Sequence, residues 1–162
     1  MSKSKPSLAD LYLKPGKAVS DAALPKVTVV ILNLNGKHHL ELCFSSLLAM
    51  DYPSDKLDVL MVDNASDDGS IEFVKRKWPQ VRLHVNKRNV GFAPGCNIGA
   101  SLRGDSSVVA FLNNDMRVDK RWLRELVSPL VRGECVAVTS KMMSWDGKTL
   151  DSAGGGMNFH GM

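Results

Sequence analysis

The apolar run Ser107-Val108-Val109-Ala110-Phe111 closes in Leu112-Asn113-Asn114-Asp115, a pattern that brings a carboxylate to the C-terminal tip of a buried strand. An acid there suits a metal ion and a phosphate, because open α/β sheets bind ligands at the carboxyl ends of their strands. Asn-Asn-Asp is also ordinary turn chemistry, so the other strand ends must decide. Two further apolar runs end in the same style. Val27 to Leu32 leads into Asn33-Leu34-Asn35-Gly36, and Leu57 to Val62 leads into Asp63-Asn64-Ala65-Ser66-Asp67-Asp68-Gly69-Ser70. In a parallel sheet all three tips share one edge, where groups able to read a base, a ribose and a diphosphate converge. Asp63 and Asn64 sit at a tip and read as ligand contacts. Asp67 and Asp68 read as helix caps, since acids near a helix N-terminus stabilise it by up to ~1 kcal/mol. A divalent cation on Asp115, Mg2+ or Mn2+ for an oxygen-only site, would supply the counter-charge a diphosphate needs.

The segment Asn89-Val90-Gly91-Phe92-Ala93-Pro94-Gly95-Cys96-Asn97-Ile98-Gly99 repeats glycine every four residues, which gives a helix one smooth face. Close packing on a sheet accounts for Gly99; Gly91 and Asn97, nearer the strand tips, read as admitting a ligand. Neither a Gly-x-Gly-x-x-Gly fingerprint after the first strand nor a Walker phosphate loop is present, which counts against hydride transfer and ATP hydrolysis.

These tips need a frame, and the apolar periodicity provides one. Strands at Val27 to Leu32, Leu57 to Val62, Val81 to Val85 and Val108 to Leu112 alternate with helical patterns. Leu40, Cys43, Phe44, Leu47 and Leu48 mark the first helix. Ile71, Val74 and Trp78 mark the second, ended by Pro79. The third is expected from about Ala93 to Arg103, and the fourth, after Asp119 as N-cap, carries Leu123, Leu126, Val127 and Leu130. Pro129 is expected to bend it or end it early. A fifth strand is expected at Val136 to Ser140. Then comes a hairpin, Met142 to Trp145 and Lys148 to Leu150, with a type I′ turn at Asp146-Gly147, and the flexible stretch Ser152-Ala153-Gly154-Gly155-Gly156. The pattern implies a mostly parallel sheet with right-handed crossovers and helices on both faces. Residues 1–24 read as a flexible tail or linker, and the ordered domain as 25–162.

The chain has 162 residues, 44% hydrophobic and 23% charged, enough for one α/β domain with a core and too few for two. Its net charge of +4 is scattered, without aromatic interleaving or a helix-turn-helix pattern, so nucleic acid is not expected as a partner. Cys43, Cys96 and Cys135 lack both metal-ligand spacing and a disulfide framework, and read as apolar residues in a reducing compartment. No apolar run reaches the ~18 residues of a membrane span, and no signal-peptide core is evident. A cytoplasmic location is expected, or one peripheral to the inner face of the cell membrane in a longer protein.

Val27 to Gly36, Val62 to Ser70, Asn89 to Gly99, Leu112 to Asp115 and Ser152 to Gly156 together resemble the successive motifs of family 2 glycosyltransferases, in order and spacing, and most closely the rhamnosyltransferase-like branch. The resemblance implies a GT-A (Rossmann-like) fold, a nucleotide-diphosphate sugar donor linked to UDP or dTDP, and a carbohydrate or lipid-linked saccharide acceptor of the cell envelope polysaccharide kind. It places the donor against Leu32, Asn33, Asn35, Asp63, Asn64, Gly91, Phe92, Asn97, Asn113 and Asn114, with Asp115 as metal ligand. Asn113 and Asn114 occupy the first two positions of the family's Asp-x-Asp region, so metal binding would rest on one carboxylate, phosphate oxygens and water. Inverting members take a catalytic base from a later segment. Glu125 and Glu134 are poor substitutes for it. The base is therefore expected beyond residue 162, and the chain reads as a C-terminally truncated, donor-binding part of a longer enzyme. The rivals are a degenerate binding module and a sugar nucleotidyltransferase, the latter lacking its Gly-rich, Arg-bearing loop.

Overall fold

The computed structural model describes residues 18–152; residues 1–17 and 153–162, with the glycine-rich stretch expected to be flexible, lie outside the described residues. Four strands form one all-parallel sheet: β1 (Val27–Asn33), β2 (Leu57–Asp63), β3 (Arg82–Val85) and β4 (Val108–Asn113), in the order β3-β2-β1-β4. Helices α1 (Lys37–Leu48), α2 (Ser70–Lys77), α3 (Phe92–Ser101) and α4 (Trp122–Val131) alternate with them. Strand order turns back at β1, so the crevice beyond the C-terminal ends of β1 and β4 is the switch point where such sheets take ligands.

The near-continuous apolar run of β1 follows from its burial on both faces. Val27, Val29 and Ile31 pack with Leu40, Phe44, Leu47, Val74, Trp78, Leu123 and Val127 in the larger core. On the other face Val30 joins Leu60 and Val62, with Leu32, Ile98 and Leu102 against them. Each fully buried aliphatic or Phe side chain contributes about 1.5–3 kcal/mol. α3 approaches the sheet closely because it presents glycine. A Cβ at Gly95 would meet Leu32, and one at Gly99 would overlap Val30.

Several expectations are corrected. Val136 to Ser140 is not a strand: with Trp122, Leu126 and Leu130 it lines a cleft of about 440 Å3 beside Val108 to Phe111. β-branched residues favour a strand only when a partner is within reach, and here the cleft keeps them from β4. Asp119 does not cap α4. Its Oδ1 accepts from Arg121 N at 2.9 Å in a turn, and the helix starts at Trp122 and runs through Pro129 to Val131. The hairpin forms as β5 (Met142–Met143) and β6 (Leu150–Ser152), but not around a type I′ turn, which needs positive φ at both central residues. Of Asp146 and Gly147, only Gly147 has it, at +69°. Its N–H donates to Ser144 O at 2.8 Å, so the turn is centred on Trp145-Asp146 and Gly147 follows in the left-handed region.

At the other end, residues 18–24 fall in the segment read as a tail, yet they are fastened to the domain. Leu24 is buried, Lys56 Nζ donates to the carbonyls of Asp21, Ala22 and Leu24, and Arg124 Nη1 donates to Val19 O.

Candidate functional site

Parallel pairing aligns Asn33 with Asp63 and Leu32 with Asn113, so the three tips share one edge. Asn33, 0% exposed, is the hub. Its Nδ2 lies 2.9 Å from Asp63 Oδ2 and 3.1 Å from Ser66 Oγ, and its Oδ1 accepts from Asn114 Nδ2 at 2.7 Å. One carboxamide thus ties the ends of β1, β2 and β4 together.

The loop after β2 is built by Asp63, which is 0% exposed. Its carboxylate accepts from Ser66 N and Ser66 Oγ, both at 2.7 Å, as well as from Asn33. Ser66 Oγ in turn accepts from Asn35 N at 2.9 Å, and Asn35 Oδ1 accepts from Asp67 N at 2.9 Å. Among the described residues only Asn35 (φ +51°) and Ala65 (φ +67°) take positive φ without being glycine, and both stand in these loops. Asn tolerates that region; Ala does so at a cost of about 1 kcal/mol or more, which the surrounding bonds must offset. Gly69, not Asp67 or Asp68, is the N-cap of α2 and offers no side-chain bond, but Asp68 just before it serves the first residues of two helices. It accepts from Ser70 N, Ser70 Oγ and Lys37 N, and although burial pushes its carboxyl up, these donors hold it below the usual range.

Asn64 is 2% exposed, its Oδ1 accepting from Asn86 Nδ2 at 2.8 Å and its Nδ2 donating to Gly91 O at 3.2 Å. This fixes the start of α3, where Gly91 takes φ +88° and Phe92 stands 64% exposed. The polar atoms of Asp63 and Asn64 are therefore bonded within the protein, and both shape the edge from beneath it.

After β4 the chain turns at once, Met116 N donating to Asn113 O at 3.2 Å. Asn114 points back to Asn33, while Asn113 and Asp115 are exposed. None of Asp63, Asp67, Asp68 or Asp115 pairs with a cation among the described residues. Beneath this turn the buried Cys43 thiol is pushed up to about 12 by desolvation and by the charge of Asp115, so it stays protonated and unreactive.

The structure thus gathers Asn33, Asn35, Asp63, Asn64, Gly91, Phe92, Asn113, Asn114 and Asp115 along the same edge. Leu32 lies just behind, half-buried against Gly95. Asn97 does not join them. Gly95 and Gly99 face the sheet, and two residues of helix, about 200°, turn Asn97 to the solvent side, where it is exposed. Three contributors escape sequence reasoning: Ser66, Asn86 and Gly36. A Cβ at Gly36 would overlap Asn114 Nδ2 and lie 2.6 Å from Asn33 Oδ1. The Asn35-Gly36 dipeptide was the available signal for that close approach.

No cluster of three or more His, Cys, Asp or Glu side chains able to hold a metal occurs among the described residues. The donor set fits a cation that arrives with its ligand, because Mg2+ and Mn2+ are commonly held by one or two carboxylates plus substrate phosphates and water. Asp115 is exposed and has no ion pair among the described residues. Glu125 and Glu134 are paired with Arg121 and Arg132, on and just after α4.

Comparison with known proteins agrees with this geometry. The glycosyl transferase family 2 model matches residues 28–155. Glycosyltransferase AglE of Haloferax volcanii is 27% identical over 112 residues, 67% of this chain and 36% of that protein. The O-antigen biosynthesis protein RfbC of Myxococcus xanthus is 34% identical over 133 residues, 80% of this chain and 10% of that protein. Among solved structures, the mannosyltransferase PcManGT of Pyrobaculum calidifontis, in complex with GDP-Man and Mn2+, superposes with a TM-score of 0.59 at 27% identity, over 71% of this chain and 35% of that one. S. aureus TarS 1–349 in complex with UDP-GlcNAc shares the fold, with a TM-score of 0.59 at 20% identity over 67% of this chain and 32% of that one. The chain therefore spans about a third of the first of these relatives and a tenth of the second, and its sheet is that of a GT-A fold. No described helix is long and apolar enough to cross a membrane.

Proposed function

The chain belongs to glycosyl transferase family 2, and from that premise we propose that it is the donor-binding part of an enzyme that moves a sugar from a UDP- or dTDP-linked donor to a carbohydrate or lipid-linked saccharide acceptor with inversion. The observation that carries this reading is the Asp115 carboxylate at the switch point, unpaired among the described residues and joined through Asn114 and Asn33 to the loop after β2. Base and ribose lie over the Asn35, Ser66 and Gly91 segments, which Asp63 and Asn64 hold from below, with Phe92 offering a ring to a base or sugar. The diphosphate lies toward Asn113 and Asp115. When bound there, a divalent cation offsets the negative charge that grows on the departing nucleoside diphosphate. The acceptor hydroxyl attacks the anomeric carbon from the face opposite that leaving group and gives up its proton to a general base. Three free cysteines accord with a reducing compartment, in the cytoplasm or at the inner face of the membrane.

Calorimetric titration of UDP and dTDP with and without Mn2+ tests this reading. It expects binding enhanced by the metal in the wild type and no enhancement in Asp115→Ala. Absence of metal-enhanced binding, or enhancement unchanged by that substitution, overturns it.

A further inference from the structure

We propose that Asn33 is a positioning residue for the cation-binding carboxylate, acting through Asn114 rather than by touching the ligand; this rests on the assignment of Asp115 above. Asn33 is wholly buried, and its carboxamide is used up within the protein. Nδ2 engages Asp63 and Ser66, and Oδ1 receives Asn114 Nδ2 at 2.7 Å. Its orientation is not free to invert, because the Asp63 carboxylate accepts and an amide oxygen turned toward it would face another acceptor. Oδ1 must therefore point at the β4 turn, and Asn114 must present a donor to it. Gly36 independently shows that the clamp is built in, since any side chain there would occupy the space that the Asn114 carboxamide fills.

The consequence is mechanical. Asp115 stands on a tight turn closed by Met116 N and Asn113 O, at the end of β4, whose only strand partner among the described residues is β1. The residue before Asp115 is locked to β1 by the Asn33–Asn114 bond, so the exposed carboxylate sits on a turn that ligand affinity need not be spent on ordering. A site with a single acidic ligand depends on such preorganisation, because no second carboxylate pulls the cation into place.

The test compares wild type, Asn33→Ala, Asn114→Ala and the double variant, using UDP, dTDP and GDP with and without Mn2+, uridine as the phosphate-free control, and amide exchange of residues 114–117. The clamp predicts that Asn114→Ala, half-buried and safe for folding, lowers the Mn2+-dependent gain about five- to tenfold, as for loss of one well-placed hydrogen bond, with uridine binding unchanged and exchange at 114–117 faster. Asn33→Ala, where folded, lowers the Mn2+-dependent gain to the same degree, with uridine binding free to change because Nδ2 also holds Asp63 and Ser66, and in the double variant that gain falls no further. A Mn2+-dependent gain that survives in Asn114→Ala overturns the inference alone, as does an equal loss of uridine and UDP binding, which would mark a merely structural role. A wild type with no Mn2+-dependent gain on any of the three diphosphates overturns the parent assignment and the inference with it.

Discussion

The two ends of the sheet both collect buried polar groups, yet they are finished differently. At the N-terminal end, wholly buried Thr28 lies within hydrogen-bond distance of Asp58 Oδ2 (2.9 Å), Ser106 Oγ (2.8 Å) and Arg103 O (3.1 Å). Arg82 grips Asp58 with two bonds, at 2.8 and 2.6 Å, and Lys26 pairs with Asp105 at 2.6 Å. Every carboxylate in that cluster has a protein cation. At the C-terminal end Asp63 is surrounded by neutral donors, and Asp115 has no cation at all among the described residues. Where the protein neutralises its own acids, they serve the fold. Where it leaves an exposed acid over a neutral scaffold, as at Asp115, the proposed function assigns the counter-charge to a ligand.

The largest contrast comes from removing one acid at each end. Asp115→Ala should abolish the metal-dependent gain in nucleotide binding while stability, read by urea denaturation, stays within about 0.5 kcal/mol, as for surface sites. Asp58→Ala should do the reverse. It leaves Arg82 without its bidentate partner and costs about 1–3 kcal/mol, with the metal-dependent gain intact in the folded fraction. Loss of metal dependence in Asp58→Ala would erase the distinction between the ends. Gly36→Ala is expected to sit between them. The new Cβ displaces the Asn114 carboxamide, costing about 1–2 kcal/mol and weakening the Mn2+-dependent gain measured by calorimetry in the same direction as Asn114→Ala.

The smallest effect is in pH. Burial pushes Asp58 up, but the bonds from Arg82 and Thr28 and nearby positive charge bring its carboxyl below the usual range. Its folded value lies under the unfolded one, near 4, so its stabilising contribution is complete above that pH and is lost as pH falls through the folded value. Urea midpoints at about pH 6 and about pH 3 should therefore fall more in wild type than in Asp58→Asn. An equal fall would show that Arg82 contributes little to the ionised state.

The convergence of the three tips was legible because each is written locally, as an apolar run ending in Asn or Asp, and a parallel sheet does the rest. The same locality explains where the sequence pattern and the structure part. Whether 136–140 joins the sheet depends on a partner, and the cleft beside β4 keeps it out. Which way Asn97 points depends on which helix face meets the sheet, and Gly95 with Gly99 sets that phase. Ser66 acts on Asn33 across 33 positions of chain and Asn86 on Asn64 across 22, while Gly36 makes room for Asn114 at the end of another strand, and beyond the Asn35-Gly36 dipeptide nothing along the sequence announces them. Asp63 and Asn64 were placed at the right edge, while their burial, and hence their work from beneath it, follows only from tertiary packing.

Paramagnetic broadening by Mn2+ in the presence of UDP or dTDP, read on assigned backbone amides, tests the central claim most directly. The account predicts that signals of residues 33–36, 63–66 and 113–116 broaden together, while those of Thr28, Asp58, Arg82 and Ser106 stay sharp. Broadening centred on the Thr28 and Asp58 end, or on residues 113–116 without the loops after β1 and β2, would contradict it.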